Sequence, residues 1–276
     1  AAQLGTFARL LAARGTGYLD TLADEDAAAL VESAFRFYVG PGPVVRVRAI
    51  TPTYATDGWD APGSIIETCI PDRPFVVDTI RERLAAAGLT EVRALLHPVL
   101  TVRRDATGRV EFLAPPEEPG GHESFVHVAV PPLADPARLA RLAEEIRGDL
   151  EDVRLVTDDF ATMVARAQAV AGQLDVLGRG TPQAQVAAEA TVVADFLRWL
   201  VDGAFVFLGY REYGIVARDG VELLATRPGT GLGLLRREMR SSFAVPRPLA
   251  EVSDAVRARL APGRLLTVTK TLAVSP

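Results

Sequence analysis

From Asp24 to Val39 the hydrophobic positions recur at helical spacing. Leu30, Val31, Ala34, Phe35 and Tyr38 share one face, and Gly40-Pro41-Gly42-Pro43 ends the segment. VVRVRAI at 44–50 alternates apolar and arginine at period two, which predicts a half-buried strand. Turn chemistry fills 51–63, with Trp59 expected at the surface. A strand is predicted at 64–70 (SIIETCI), a turn at Pro71-Asp72-Arg73-Pro74, and a helix at 75–87 whose Val77, Ile80 and Leu84 share a face before Gly88 stops it. A long strand over 92–103, interrupted by Pro98, returns through Asp105-Ala106-Thr107-Gly108 to a strand at 109–113. Another strand is predicted at 123–130. Asp135 then caps a helix with Pro136 in its first turn, and DVRLV at 152–156 closes as a strand.

The order strand–helix–strand–strand–helix–strand predicts an α+β, ferredoxin-like β-α-β-β-α-β sandwich with extra strands. The rest of the chain predicts a helix from Asp158 or Asp159 to Asp175, a linker at 177–182, a helix to about Val201, and a smaller α/β module. The strings TVRRDATGRVEFLA (101–114) and GIVARDGVELLA (214–225) echo one another as strand, turn and strand. The expected domains are an N-terminal helical segment (1–43), the sandwich (44–157), a connecting helix and linker (158–182) and a second α/β module (183–276).

Composition changes this picture in several ways. At 276 residues, 49% hydrophobic and 24% charged, the chain is long enough to bury a core and is not a fibre or a disordered tail. A net charge of −5 argues against nucleic acid as a partner, because phosphate neutralisation needs a basic face. Cys69 is the single cysteine, so no intrachain disulfide forms and a cytoplasmic location is expected. The most apolar stretch, 192–210, carries Asp195, Arg198 and Asp202, which a bilayer centre penalises, so no membrane partner is expected. Of 30 Lys and Arg residues only Lys270 is lysine, which leaves amine chemistry one side-chain candidate. The start at Ala1 and the apolar end LLTVTKTLAVSP suggest a piece of something longer.

Few residues form a pattern with chemical content. RPGTGLGLLR (227–236) invites a nucleotide-loop reading, but Gly229, Gly231 and Gly233 do not fit G-x-G-x-x-G and are expected to serve turns. His122 and His127 have a zinc-finger spacing without a second ligand pair to complete a site. His122 is expected in a loop and His127 in a strand, both simply solvated or hydrogen-bonded. Cys69 sits among apolar neighbours, where a thiol is a small hydrophobe. Glu144-Glu145 reads as an exposed helix face, and Asp158-Asp159 as a cap. The best candidate is the turn before the 75–87 helix. Unpaired first-turn amides accept an anion, Arg73 offers a carboxylate partner, and Asp72 accepts from an ammonium group, which together match an α-amino acid. The alternative is that Asp72 caps its own helix and Arg73 is solvated.

The strings RVRAITPT, DGWDAPGSIIETCIPDRPFVVDTIRERL, HPVLTVRRDATG, ESFVHVAV, FLRWLVDGAFVFLGYREY, RPGTGLGLLR and LLTVTKT resemble the N-terminal region of the large bacterial NAD-specific glutamate dehydrogenases, from about residue 30 onward. The resemblance implies an ACT-like first domain, further regulatory modules, and a catalytic domain far downstream. It implies NAD as the cofactor of the parent enzyme and none in this piece, with no catalytic residue here. The partners it implies are the rest of the parent chain, other subunits of a homo-oligomer and an amino-acid effector; an assembly module without ligand is the alternative. The candidate effector site is Asp72, Arg73, Pro74, Phe75 and Val76. Ligand-binding ACT modules often carry Asp-x-Pro-Gly at this turn; here Phe75 replaces the glycine, and is expected to fill the space a ligand would use.

Overall fold

A computed structural model describes residues 2–15, 17–237, 243–254 and 256–257. Lys270 and the LLTVTKT string lie outside them. The chain divides into two compact units, Ala1–Arg154 and Leu155–Pro276.

The first unit is α+β. Its six strands are β1 (Arg46–Ile50), β2 (Ser64–Pro71), β3 (Ala94–Leu96), β4 (Val99–Arg104), β5 (Val110–Ala114) and β6 (Gly121–Val130). They pair antiparallel in the order β1-β2-β6-β4-β5, with β3 also on β6. Pro98 lacks an amide to donate, and the expected long strand is accordingly split into β3 and β4. His122 belongs to β6 rather than to a loop.

Helices cover both faces of the sheet. One face carries α4 (Val76–Ala86) and the first part of α5 (Pro136–Gly180); α3 is a single turn at Tyr54–Asp57. Val76, Ile80, Leu84, Leu139, Leu142, Ile146 and Leu150 pack there on Ile66, Ile70, Val126, Val128 and Val130. The opposite face carries α1 (Ala2–Arg14) and α2 (Asp24–Val39), whose Phe7, Leu11, Leu30, Ala34 and Tyr38 pack on Ile65, Cys69, Phe125 and Ala129. A sheet covered on both faces reads as continuous burial rather than alternation, as β2 and β6 do. Trp59, expected at the surface, is buried in the second of these cores.

The expected closing strand at 152–156 is corrected: that stretch lies inside α5. The apolar spacing Leu139, Leu142, Ile146, Leu150 continues to Val153 at helical intervals, and a five-residue apolar run does not by itself distinguish strand from buried helix. The edge beside β2 is already taken by β1. Asp135 does cap this helix, accepting from the Ala137 amide at 2.9 Å. The predicted linker at 177–182 is likewise helical to Gly180, and Asp158-Asp159 lies within the helix rather than capping it.

In the second unit α5 and α6 (Ala184–Trp199) share a small core of Ala171, Leu174, Ala190, Val193 and Ala194. Strands β8 (Tyr213–Arg218) and β9 (Val221–Thr226) form a hairpin across Asp219-Gly220, both with positive φ, +51° and +77°. That is the turn an Asp-Gly pair favours. Strand β11 (Arg247–Pro248) adds to β9, and β7 (Gly209–Tyr210) pairs with β10 (Leu232–Gly233). The two echoing strings are thus both hairpins, β4–β5 and β8–β9.

Candidate functional site

The five candidate residues lie where β2 hands over to α4. The Asp72 amide donates to the His122 carbonyl at 2.9 Å, and the Asp72 side chain is exposed rather than capping the helix. Arg73 is half-buried. Its Nε donates to the Pro71 carbonyl at 3.0 Å and its Nη1 to the Arg154 carbonyl at 3.2 Å, which binds the turn to α5. Pro74 is exposed, and Val76 is buried under α4.

Phe75 is the N-cap of α4, with φ +72° and ψ 1° and no side-chain cap. A left-handed conformation costs an L-residue about 1–2 kcal/mol, and glycine escapes that cost. The backbone therefore adopts a glycine's conformation without a glycine. The ring is 44% exposed and lines a shallow groove with Asp78, Thr79 and Glu82. Phe75→Gly is expected to raise stability by about 1 kcal/mol, read from the urea midpoint. A loss of stability would mean that the exposed ring contributes more packing than its φ costs.

The sheet face under α1 and α2 carries polar chemistry that the sequence reading missed. Arg48, Glu67 and His127 stand side by side on β1, β2 and β6, as the registers Arg48↔Glu67 and Glu67↔His127 require. Arg48 Nε donates to Glu67 Oε2 at 2.6 Å, and His127 Nδ1 lies 2.9 Å from Glu67 Oε1. Glu67 and His127 are fully buried. Burial pushes the Glu67 carboxyl up, but His127 and Arg48 together overcome this and hold it below the usual glutamate range.

A second cluster lies nearby on the same face. Arg104 makes a bidentate pair with Glu123, both contacts at 2.7 Å. Arg46 Nη2 donates to Cys69 Sγ at 2.9 Å, and the thiol donates to Glu123 Oε2 at 3.2 Å. Arg46 and Arg104 each donate to the Tyr38 carbonyl at 3.0 Å, and Arg46 also reaches the Gly40 carbonyl. Two cations thus satisfy orphan carbonyls at the C-terminus of α2 and oppose its negative dipole end. Glu123 is pushed up by burial and, more strongly, down by Arg104 and its other partners. Burial raises the Cys69 thiol to about 12, which makes it unreactive at neutral pH. The arginines at period two in β1 were the legible signal. They face a covered layer instead of water, Arg46 being only 7% exposed.

The remaining candidates have structural partners. His97 Nε2 lies 2.5 Å from Ser124 Oγ, and burial lowers its pKa against the pull of Asp72. Among the described residues no cluster of His, Cys, Asp and Glu could hold a metal ion, and no helix is long and apolar enough to cross a membrane. In RPGTGLGLLR, Gly229 has φ +73°, and Gly233 has φ +57° with the Leu208 carbonyl 2.4 Å from where a Cβ would sit. These glycines serve a turn and a close backbone approach. The loop is tied to α5 by Asp159, which accepts from the Gly233 amide at 2.8 Å and from Arg236 Nε at 3.0 Å. The glycine spacing differs from the G-x-G-x-x-G of dinucleotide loops.

Residues 10–146 match the family model of the glutamate dehydrogenase ACT1 domain. The chain is 33% identical over 244 residues to an NAD-specific glutamate dehydrogenase of Halomonas elongata, an alignment covering 86% of this chain and 15% of that protein. It is 33% identical over 173 residues to the protein of the same name from Pseudomonas aeruginosa, covering 62% of the chain and 10% of the relative. With that of Mycobacterium tuberculosis the identity is 28% over 186 residues, covering 66% and 11%. The chain therefore spans only a small part of the length of these relatives. By residues 10–146 it belongs to the glutamate dehydrogenase ACT1 family, in the N-terminal region of a large NAD-specific glutamate dehydrogenase.

Proposed function

We propose that this chain is a non-catalytic regulatory region of an enzyme that oxidises L-glutamate to 2-oxoglutarate with NAD, and that its first unit senses an amino acid at the β2–α4 turn. The observation that carries the reading is the turn's backbone: Phe75 holds a glycine's φ of +72° at the start of α4, in a stretch that matches the ACT1 model. The first amides of α4 have no side-chain cap, so they suit a carboxylate, and exposed Asp72 suits an ammonium group. On this reading the sheet is the ferredoxin-like arrangement with its edge strand supplied by β1 from the N-terminal side. Sensing becomes regulation only if the effector binds two states of the enzyme unequally.

Assembly without a ligand is the second reading. The commitment of Arg73 to two main-chain carbonyls favours it, because an arginine so engaged is less free for an effector.

Calorimetry of the 276-residue chain against the common amino acids decides between them. Sensing predicts binding that Asp72→Asn abolishes with the melting temperature unchanged, since that carboxylate has no hydrogen bond among the described residues. Binding that survives Asp72→Asn would place the effector elsewhere, and no heat at millimolar amino acid would leave the assembly reading.

A further inference from the structure

A groove of about 510 Å³ opens in the first unit between the α1–α2 connection and β3. Its walls include Arg14, Tyr18, Pro62, Arg93, Leu95 and Leu96. That size lies within the range of small-molecule sites, which combine apolar walls with a few directed polar groups.

The two cations of the groove are only partly engaged. Arg14 is exposed and forms no ion pair among the described residues. Arg93 uses Nη1 on the Pro62 carbonyl at 2.6 Å and Nε on Glu91 at 3.0 Å, which leaves Nη2 without a hydrogen bond among the described residues. The acidic neighbours are occupied: Glu91 by Arg93, and Asp20 by the Gly17 amide at 3.3 Å. The Tyr18 hydroxyl is buried without a hydrogen-bond partner. The Tyr18 ring lies 6.0 Å from that of His127, whose Nε2 is also buried and unpartnered. Buried polar atoms without a partner, here on two neighbouring rings, are costly in a folded protein.

We propose that this groove binds a small organic carboxylic acid. Its carboxylate is held by Arg14 and Arg93, and its hydrocarbon body lies against Pro62, Leu95 and Leu96. Guanidinium groups are the side chains best suited to carboxylates. The apolar wall favours an acid with a carbon skeleton over a bare inorganic anion.

The test is titration of the 276-residue chain with glutarate, using acetate and inorganic phosphate for comparison. Glutarate is expected to bind more tightly than either, and Arg14→Ala and Arg93→Ala are each expected to weaken it about tenfold or more. Tyr18→Phe is a control: removing an unpartnered buried hydroxyl should raise the melting temperature of the ligand-free protein and leave glutarate binding unchanged. Asp72→Asn should leave glutarate binding unchanged, so failure here and failure of the turn site are separately visible. The proposal falls if glutarate does not bind at tens of millimolar, if neither arginine variant weakens it, or if phosphate binds more tightly.

Discussion

Glu67→Ala is expected to destabilise the first unit by about 3–5 kcal/mol, the cost of leaving a buried partner charge uncompensated. Without the carboxylate, Arg48 and His127 face one another across β2 with nothing between them, and the His127 Nδ1 loses its 2.9 Å contact. The pH dependence follows from the same residues. Glu67 and Glu123 are both held below their ordinary value near 4.5. In the interval between native and unfolded values the unfolded chain binds more protons, so stability rises with pH there. The contribution is complete above the unfolded value and is lost as pH falls through the native ones. Urea midpoints followed by circular dichroism should therefore fall steeply below about pH 4.5. Glu67→Gln should be less stable at pH 7 and show a shallower acid slope. Equal slopes for the two proteins would mean that Glu67 does not titrate as this packing requires.

Asp159→Ala is expected to loosen the second unit by about 3 kcal/mol, within the range for breaking a buried charge-assisted contact. Asp159 is 5% exposed and is the acceptor for both the Gly233 amide and Arg236. Because Gly233 also sits against the Leu208 carbonyl, the loop has little room to find another arrangement. Hydrogen exchange gives a direct reading. The Gly233 amide should lose most of its protection in the variant, whereas Asp159→Asn should retain part of it through the remaining carbonyl oxygen. Unchanged protection in Asp159→Ala would show that β7 and β10, not the carboxylate, hold the loop.

What could be read from the sequence was local. The helix at 24–39, the Pro98 interruption, the Asp219-Gly220 turn and the Asp135 cap depend on neighbours within a few residues, and each is found as expected. The misreadings depend on partners far along the chain. Trp59 lies in a polar turn sequence yet is buried by helices that precede it. DVRLV carries an apolar pattern that suits either a strand or a helix, and the choice rested on whether the edge beside β2 was open. Arg46 and Arg48 looked like a wet strand face because the sequence does not say that α1 and α2 lie over it. The candidate turn was found from residue types alone. The conformation of Phe75 was not, since no local rule puts a phenylalanine at positive φ. Asp159 was read as a helix cap because its partners, Gly233 and Arg236, lie more than 70 residues away.

The central sheet has a dry side, where aliphatic side chains meet α4 and α5, and an ionic side beneath α1 and α2. Acid should therefore rank variants of this protein differently from neutral buffer. A lesion on the aliphatic side should lower the urea midpoint by a similar amount at either pH. One that removes a buried glutamate should look severe at neutral pH and milder in acid, where the unaltered protein has itself lost that carboxylate's contribution, so the choice of pH becomes a probe of which helical layer a change has loosened.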